Sequence, residues 1–222
     1  MLYAYGATPA RPRSLPVTGL YGQRVRLLRK PGLSVVYSEH EGPPGRDRER
    51  LQEHDRVNRS LMEHGPVVPF RFGNVFPDLA SLERAVDGQQ EALEHKLVEL
   101  GTSVEMSIRL RRRAASEPVP ATASASGTEY LERKAAELRR LEAAEAELRE
   151  LAAALREAIG GAARDARENI VPPDELALAW LVERERLPEF EQATACFFQA
   201  RPGWSRAWRA HVSGPWPPSS FV

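Results

Sequence analysis

The sequence has little of what marks secreted or membrane proteins. Only one of its 222 residues is cysteine, Cys196, so no disulfide forms within the chain, as is usual in a reducing compartment. The longest apolar run, Leu176 to Val182, is far shorter than the roughly 20 residues that cross a bilayer. The first residues also lack the apolar run of a signal peptide. We therefore expect a soluble cytoplasmic protein without a membrane partner.

The sequence also has no excess of charge. Lys plus Arg number 31 and Asp plus Glu number 31, so the net charge is zero. A neutral chain has no overall attraction for nucleic acid. The single basic cluster, RLRRR at Arg109 to Arg113, has the residues for phosphate contacts. We interpret it as the solvent-facing side of a strand, and we expect no nucleic-acid partner.

Motifs for catalysis, cofactors and metals are missing too. There is no glycine-rich phosphate loop and no nucleophile elbow. His54 is the best candidate for acid–base chemistry, but it lies between Leu51 and Val57 on a helical stripe, where a buried structural histidine is expected. Cys196 has no basic residue in its own helical turn. The five histidines are His40, His54, His64, His95 and His211. None of them is spaced from another histidine or from the cysteine as metal ligands are. We expect no catalytic residue, metal or cofactor, and hence no enzyme.

What is present is a clear alternation of helix and strand patterns. In the first half, Lys30-Pro31-Gly32 has residues that favour a turn. It separates two runs in which apolar and polar residues alternate, and this pattern predicts a β-hairpin. Helical spacing and further alternation predict four more elements. These are a helix over Asp47–Glu63, a strand over Val67–Phe72, a helix over Pro77–Leu100 and a half-buried strand over Val104–Leu110.

The second half begins after a stretch of small and polar residues, Ala114 to Gly127, which we interpret as a linker or loop. A long helix over Glu129–Ile159 follows. Its apolar residues have heptad spacing, which fits either a partner-binding coiled coil or a helix packed on its own sheet. A strand over Leu176–Val182, a phenylalanine-rich helix and a strand bearing Trp204 and Trp208 complete the pattern. We predict an α+β fold of two small domains, 1–113 and 128–222.

The chain finishes with GPWPPSSFV, Gly214 to Val222, which is unusual for a terminus. Its three prolines restrict the backbone, so ordering this segment costs little conformational entropy. Trp216 and Phe221 each offer a large ring to bury. We predict that this tail docks on its own protein, clamping the junction of the two domains beneath Phe72 to Phe76. The rival interpretation is an exposed ligand for a partner's groove.

Two segments carry a family resemblance. VVPFRFGNVF (Val67 to Phe76) and GPWPPSSFV (Gly214 to Val222) resemble the two signature segments of the gas vesicle protein F/L family. GTEYLERK (Gly127 to Lys134) and LAWLVER (Leu178 to Arg184) are similar to further parts of that family, so the resemblance covers nearly the whole chain. Ser219 departs from it, because the family tail usually has tyrosine there.

The resemblance implies a function that the residues alone do not. Family members are non-enzymatic assembly factors or minor components of gas vesicles that are thought to bind the main shell protein and support vesicle formation. It also implies a ferredoxin-like first domain, a gas vesicle or cytoplasmic location, and other gas vesicle accessory proteins as partners. From the residues, the alternative is a nucleic-acid-binding module built on paired ferredoxin-like units. The candidates for partner binding or tail docking are Phe70, Phe72, Gly73, Phe76, Gly214, Pro215, Trp216, Pro217, Pro218 and Phe221.

Overall fold

The structure is a computed structural model that describes residues 1–9, 15–113, 127–201 and 203–222. Within these ranges the chain forms two β-sheets and helices, which confirms the predicted α+β class. By contacts it divides into two compact units. The first contains Met1–Glu105 together with Gly214–Val222, and the second contains Met106–Ser213.

The first unit is organised around β1 (Leu2–Thr8), every residue of which is buried. The predicted hairpin is confirmed: β2 (Arg26–Lys30) and β3 (Leu33–Glu39) pair antiparallel, and Gly32 adopts the positive φ that the turn requires. β3 pairs antiparallel with β1. Two short strands, β4 (Val68–Pro69) and β5 (Val75–Phe76), also pair with β1.

The predicted strand over Val67–Phe72 is wrong in its length, because only Val68–Pro69 pairs as a strand. Pro69 has no backbone N–H to donate to a ladder, and this interrupts the pairing. The backbone N–H of Phe70 still donates to the carbonyl of Tyr5, at 2.8 Å. The rest of the segment is therefore a loop held against β1.

Three helices accompany this sheet. α1 (Arg48–Glu63) begins as predicted, where the carboxylate of Asp47 accepts the backbone N–H of Arg50 at 2.9 Å. The prediction of one helix over Pro77–Leu100 is wrong. The segment forms α2 (Leu79–Asp87) and α3 (Gln90–Leu100), which are separated at Gly88, a poor helix former.

The second sheet has the strand order β7-β8-β6-β9. Its strands are β6 (Ser103–Arg112), β7 (Asp165–Val171), β8 (Glu175–Glu183) and β9 (Trp208–Trp216). β7 was not predicted from the sequence, because it is an exposed edge strand rich in charged residues and lacks a strong apolar alternation. Trp204 was predicted on the last strand, but it lies in the short helix α6 (Trp204–Ala207).

Two longer helices, α4 (Gly127–Ile159) and α5 (Leu187–Gln199), supply apolar side chains to the core of the second unit. The burial of the apolar side chains differs along α4. Leu148, Leu155 and Ile159 are fully buried in that core, whereas Leu131 and Leu138 remain 67% and 51% exposed. The C-terminal part therefore lies on its own sheet, and the N-terminal part keeps an open apolar seam.

The compact units differ from the predicted domains 1–113 and 128–222 in two places. Residues 106–113 group with the second unit, because β6 lies between β8 and β9 in the second sheet. The tail, Gly214–Val222, groups with the first unit. Of the predicted linker Ala114 to Gly127, residues 114–126 lie outside the described residues, and Gly127 is the first residue of α4. As independently folding domains, the two ranges stay a prediction, and so does the ferredoxin-like type of the first.

Candidate functional site

A chain of hydrogen bonds runs through His54, which is 4% exposed. The backbone N–H of Gly73 donates to the hydroxyl of Tyr3 at 3.2 Å, and this hydroxyl lies 2.8 Å from Nδ1 of His54. Nε2 of His54 lies 3.0 Å from the carbonyl oxygen of Phe70. Because a carbonyl only accepts, Nε2 carries the proton and donates, while Nδ1 accepts from Tyr3.

This histidine is uncharged near neutral pH. Burial lowers the pKa of His54 to about 4, against an ordinary value of 6.5. Burial likewise raises the pKa of the Tyr3 hydroxyl above its ordinary value. His54 therefore connects α1, β1 and the Phe70–Gly73 loop as a neutral hydrogen-bonding group, in agreement with the structural interpretation of this residue.

The tail is attached to the first unit by Glu105. Both the backbone N–H and the hydroxyl of Ser220 donate to the Glu105 carboxylate, each at 2.8 Å. Next to Ser220, the ring of Phe221 is only 5% exposed, and Pro217 and Pro218 are buried. Burial raises the pKa of Glu105, although the hydrogen bonds from Ser220 oppose that shift. The tail thus has a polar anchor beside an apolar one.

A second attachment joins the tail to α1. The guanidinium carbon of Arg59 lies 3.8 Å from the ring centroid of Trp216, a cation–π contact. Before it, Gly214 adopts a φ of +135°, which favours glycine and lets the chain change direction. The side chain of Trp216 is held on one face and stays half-buried.

A cavity of about 240 Å³ lies between these elements, entirely within the first unit. Phe70 and Phe72 line it from the first signature segment, and Trp216 and Pro217 line it from the tail. The remaining lining residues lie on α1, on β4, on β6 and in the adjoining loops: Leu51, His54, Asp55, Asn58, Pro69, Arg71, Glu105 and Ser219. The two segments that carry the family resemblance therefore meet at one cavity.

The structure separates the ten candidate residues by burial. Pro217, Pro218 and Phe221 are buried, as expected of docking residues, whereas Gly214 and Pro215 are exposed. Those of intermediate burial are Phe70, Phe72, Gly73, Phe76 and Trp216. Phe76 pairs with Leu2 in the sheet rather than lining the cavity, and Gly73 adopts a φ of +92° where its N–H reaches Tyr3. Their part in partner binding, and a clamp at the junction of the predicted domains, stay predictions.

Sequence reasoning missed Glu105 and placed it on the solvent side of its strand. In the structure Glu105 is only 8% exposed, because the tail covers it. The available signal was a carboxylate between Val104 and Met106, both of which are buried. Arg59 and Ser220 carried no comparable local signal.

Clusters of metal-ligating side chains and membrane-spanning helices are both absent from the described residues. In these parts of the chain, no three or more His, Cys, Asp or Glu side chains are placed to hold a metal ion. None of the described helices combines the length and apolar character needed to span a membrane.

Comparison with known proteins identifies the family. The family model for "Gas vesicle synthesis protein GvpL/GvpF" matches residues 1–222. Gas vesicle protein F of Streptomyces sp. (strain CB03234) is 29% identical, covering 99% of this chain and 98% of the relative. Gas vesicle protein F of Haloferax mediterranei is 24% identical, covering 100% and 92%.

Two crystal structures share the fold. GvpF from Anabaena sp. PCC7120 superposes with a TM-score of 0.78 at 18% identity, covering 99% of this chain and 94% of that one. GvpF from Microcystis aeruginosa gives a TM-score of 0.75 at 22% identity, covering 99% and 98%. With a family match over the whole chain, this protein belongs to the GvpL/GvpF family of gas vesicle synthesis proteins, which is not a known class of enzyme, and its role is associated with gas vesicles.

Proposed function

We propose that this protein is a non-enzymatic assembly factor or minor component of gas vesicles that binds the main shell protein and supports vesicle nucleation and formation. Its location in this proposal is the cytoplasm and the growing vesicle. The observation that carries the proposal is the meeting of the two signature segments at one cavity. Phe70, Phe72 and Trp216 line that cavity with their side chains only half-buried.

The family resemblance implies a main shell protein that is small and very apolar. Such a subunit needs a partner that covers its surface until it is incorporated, since exposed apolar surface leads to aggregation. The half-buried rings offer such cover, at roughly 25 cal/mol for each Å² of apolar surface buried. Two polar groups in the cavity are already engaged: His54 is hydrogen-bonded and neutral, and Glu105 is bonded to Ser220. An apolar partner group therefore does not have to break the hydrogen bonds of His54 or Glu105.

Co-purification with the tagged shell protein tests this proposal. We expect capture of the unaltered protein in both low and high salt, because apolar burial is not screened by ions. Phe70→Ala should weaken capture. Phe198→Ala is the matched control, since Phe198 is also a half-buried phenylalanine but lies in the second unit. Equal capture of both variants would exclude the cavity as the binding face, and no capture of the unaltered protein would overturn the proposal.

The non-enzymatic part of the proposal has its own test. Cys196 is the single thiol of the chain, and it is exposed, so it could reach a substrate if the protein used a cysteine nucleophile. Cys196→Ala should leave vesicle formation in cells unchanged. Loss of vesicles with a normally folded variant would require a chemical role for this residue.

A nucleic-acid-binding module is the second candidate function. The observation that favours it is a cluster of arginine side chains in the second unit. Its signature would be binding of an oligonucleotide that weakens steeply with salt, because phosphate contacts release counterions. Binding to the shell protein would not show that dependence.

A further inference from the structure

Four arginines line one pocket of about 430 Å³ in the second unit. Arg111, Arg112 and Arg113 come from the end of β6 and the residue after it, and Arg209 comes from the start of β9. The backbone N–H of Arg113 donates to the carbonyl of Ala207 at 2.8 Å, which holds these two chain segments together. The cationic side chains are therefore gathered by the fold and not by sequence proximity alone.

Only part of this positive charge is neutralised nearby. Arg112 forms an ion pair with Glu147 at 2.6 Å and stacks on the ring of Trp208. Arg111 has a longer contact with Glu175, at 3.7 Å, and Glu175 also faces Arg109. Within the described part of the chain, no carboxylate lies in ion-pair range of Arg113 or Arg209. Two uncompensated cations thus face one pocket in a protein whose net charge is zero.

Like charges that line one pocket repel each other, and an anion bound between them would relieve that repulsion. The guanidinium group presents a planar fork of N–H donors that matches the oxygens of a phosphate. Among the described residues, this pocket is lined by arginine side chains alone. This composition suits a compact anion of high charge density.

We propose that the arginine pocket binds a small molecule through its phosphate groups, with Arg113 and Arg209 as the principal contacts. Arg112 has a different part in this site. Its ion pair and its stacking on Trp208 fix its position, so it forms a wall of the pocket. This site is separate from the cavity of the first unit, and the proposal does not depend on shell-protein binding.

Titration calorimetry with sodium tripolyphosphate at low salt tests the proposal on the full chain. We expect saturable binding with one site per chain, weakened about tenfold for each arginine removed in Arg113→Ala and Arg209→Ala. The double variant Arg46→Ala/Arg56→Ala is the matched control. It removes the same charge at exposed residues of the first unit that have no ion-pair partner in the described structure, and it should bind like the unaltered protein.

A second double variant separates geometry from charge. Arg113→Lys/Arg209→Lys keeps both charges but loses the guanidinium forks, so binding should still weaken several-fold. If the alanine variants fail to fold, this lysine variant still tests whether the two guanidinium groups bind tripolyphosphate. Absence of tripolyphosphate binding, or equal weakening in the control, would overturn the proposal. Tight binding of a single-stranded oligonucleotide with none of tripolyphosphate would overturn it in favour of a nucleic-acid backbone.

Discussion

Ser220 uses both of its hydrogen-bond donors on the same carboxylate, that of Glu105, from 115 residues away along the chain. Each oxygen of the carboxylate accepts one of these bonds, so the pairing is bidentate. Hydrogen bonds to a charged acceptor are stronger than those between neutral groups. This contact fixes the position of the tail, and several consequences of it can be measured.

Glu105→Gln should change how stability depends on pH. Burial raises the pKa of Glu105 above its ordinary value of 4.5, so the folded protein retains a proton that the unfolded chain has released. This contribution is fully present below pH 4.5 and is lost as the pH rises through the folded pKa. Urea unfolding across this range should show the unaltered protein losing stability relative to Glu105→Gln as pH rises. A difference that is constant with pH would contradict the assignment.

Phe221→Ala should destabilise the protein by about 3–5 kcal/mol, the usual cost of removing a buried phenylalanine ring. Val222→Ala is the control. Val222 is 44% exposed, and its truncation should cost less than about 0.5 kcal/mol. Denaturant unfolding measures both, and deletion of Pro215 to Val222 should lower the melting temperature markedly. If that deletion leaves the melting temperature unchanged but abolishes shell-protein binding, the tail is a ligand for the partner.

His54 should make the protein sensitive to mild acid. Its pKa is about 4 in the folded protein and 6.5 ordinarily, so the unfolded chain binds a proton first as the pH falls. The stabilisation is fully present above pH 6.5, and up to about 3 kcal/mol is lost as the pH falls to 4. In His54→Gln this loss should shrink by about that amount, whereas His211→Gln, at an exposed position, should leave it unchanged. Identical acid profiles in all three proteins would exclude this role.

Two leucines in α4 should behave differently although they lie on the same helix. Leu148→Ala should cost about 2–5 kcal/mol, because Leu148 is fully buried in the second unit. Leu138→Ala should cost less than about 0.5 kcal/mol, since that side chain is 51% exposed. Thermal and denaturant unfolding distinguish them. A large loss in Leu138→Ala would mean that the N-terminal part of the helix is covered in solution.

The elements predicted correctly are those whose signals are local. The β2–β3 hairpin follows from turn residues between alternating runs, and α1 begins at its capping aspartate. By contrast, β7 is an edge strand stabilised by its pairing with β8, which the residues of β7 alone do not reveal. The break at Gly88 was missed because the leucine spacing continues across it.

The site was predictable in composition but not in arrangement. Phe70, Phe72 and Trp216 were selected from segments that resemble a family, and they line one cavity. Glu105 was predicted to be exposed to solvent but is buried, because its burial depends on a segment more than a hundred residues away along the chain. Alternation along a strand indicates which side chains share a face, but it does not indicate what later covers that face.

The division of the chain into units has a consequence for protein synthesis. Ribosomes make residues 106–213 before Gly214–Val222, yet those last residues belong with Met1–Glu105. Until the whole second unit has been translated, Glu105 therefore lacks its partner Ser220 and the place of Phe221 stays unfilled. A product that stops short of Gly214 carries the complete second unit and an unfinished first one, which a protease would distinguish from the full-length chain.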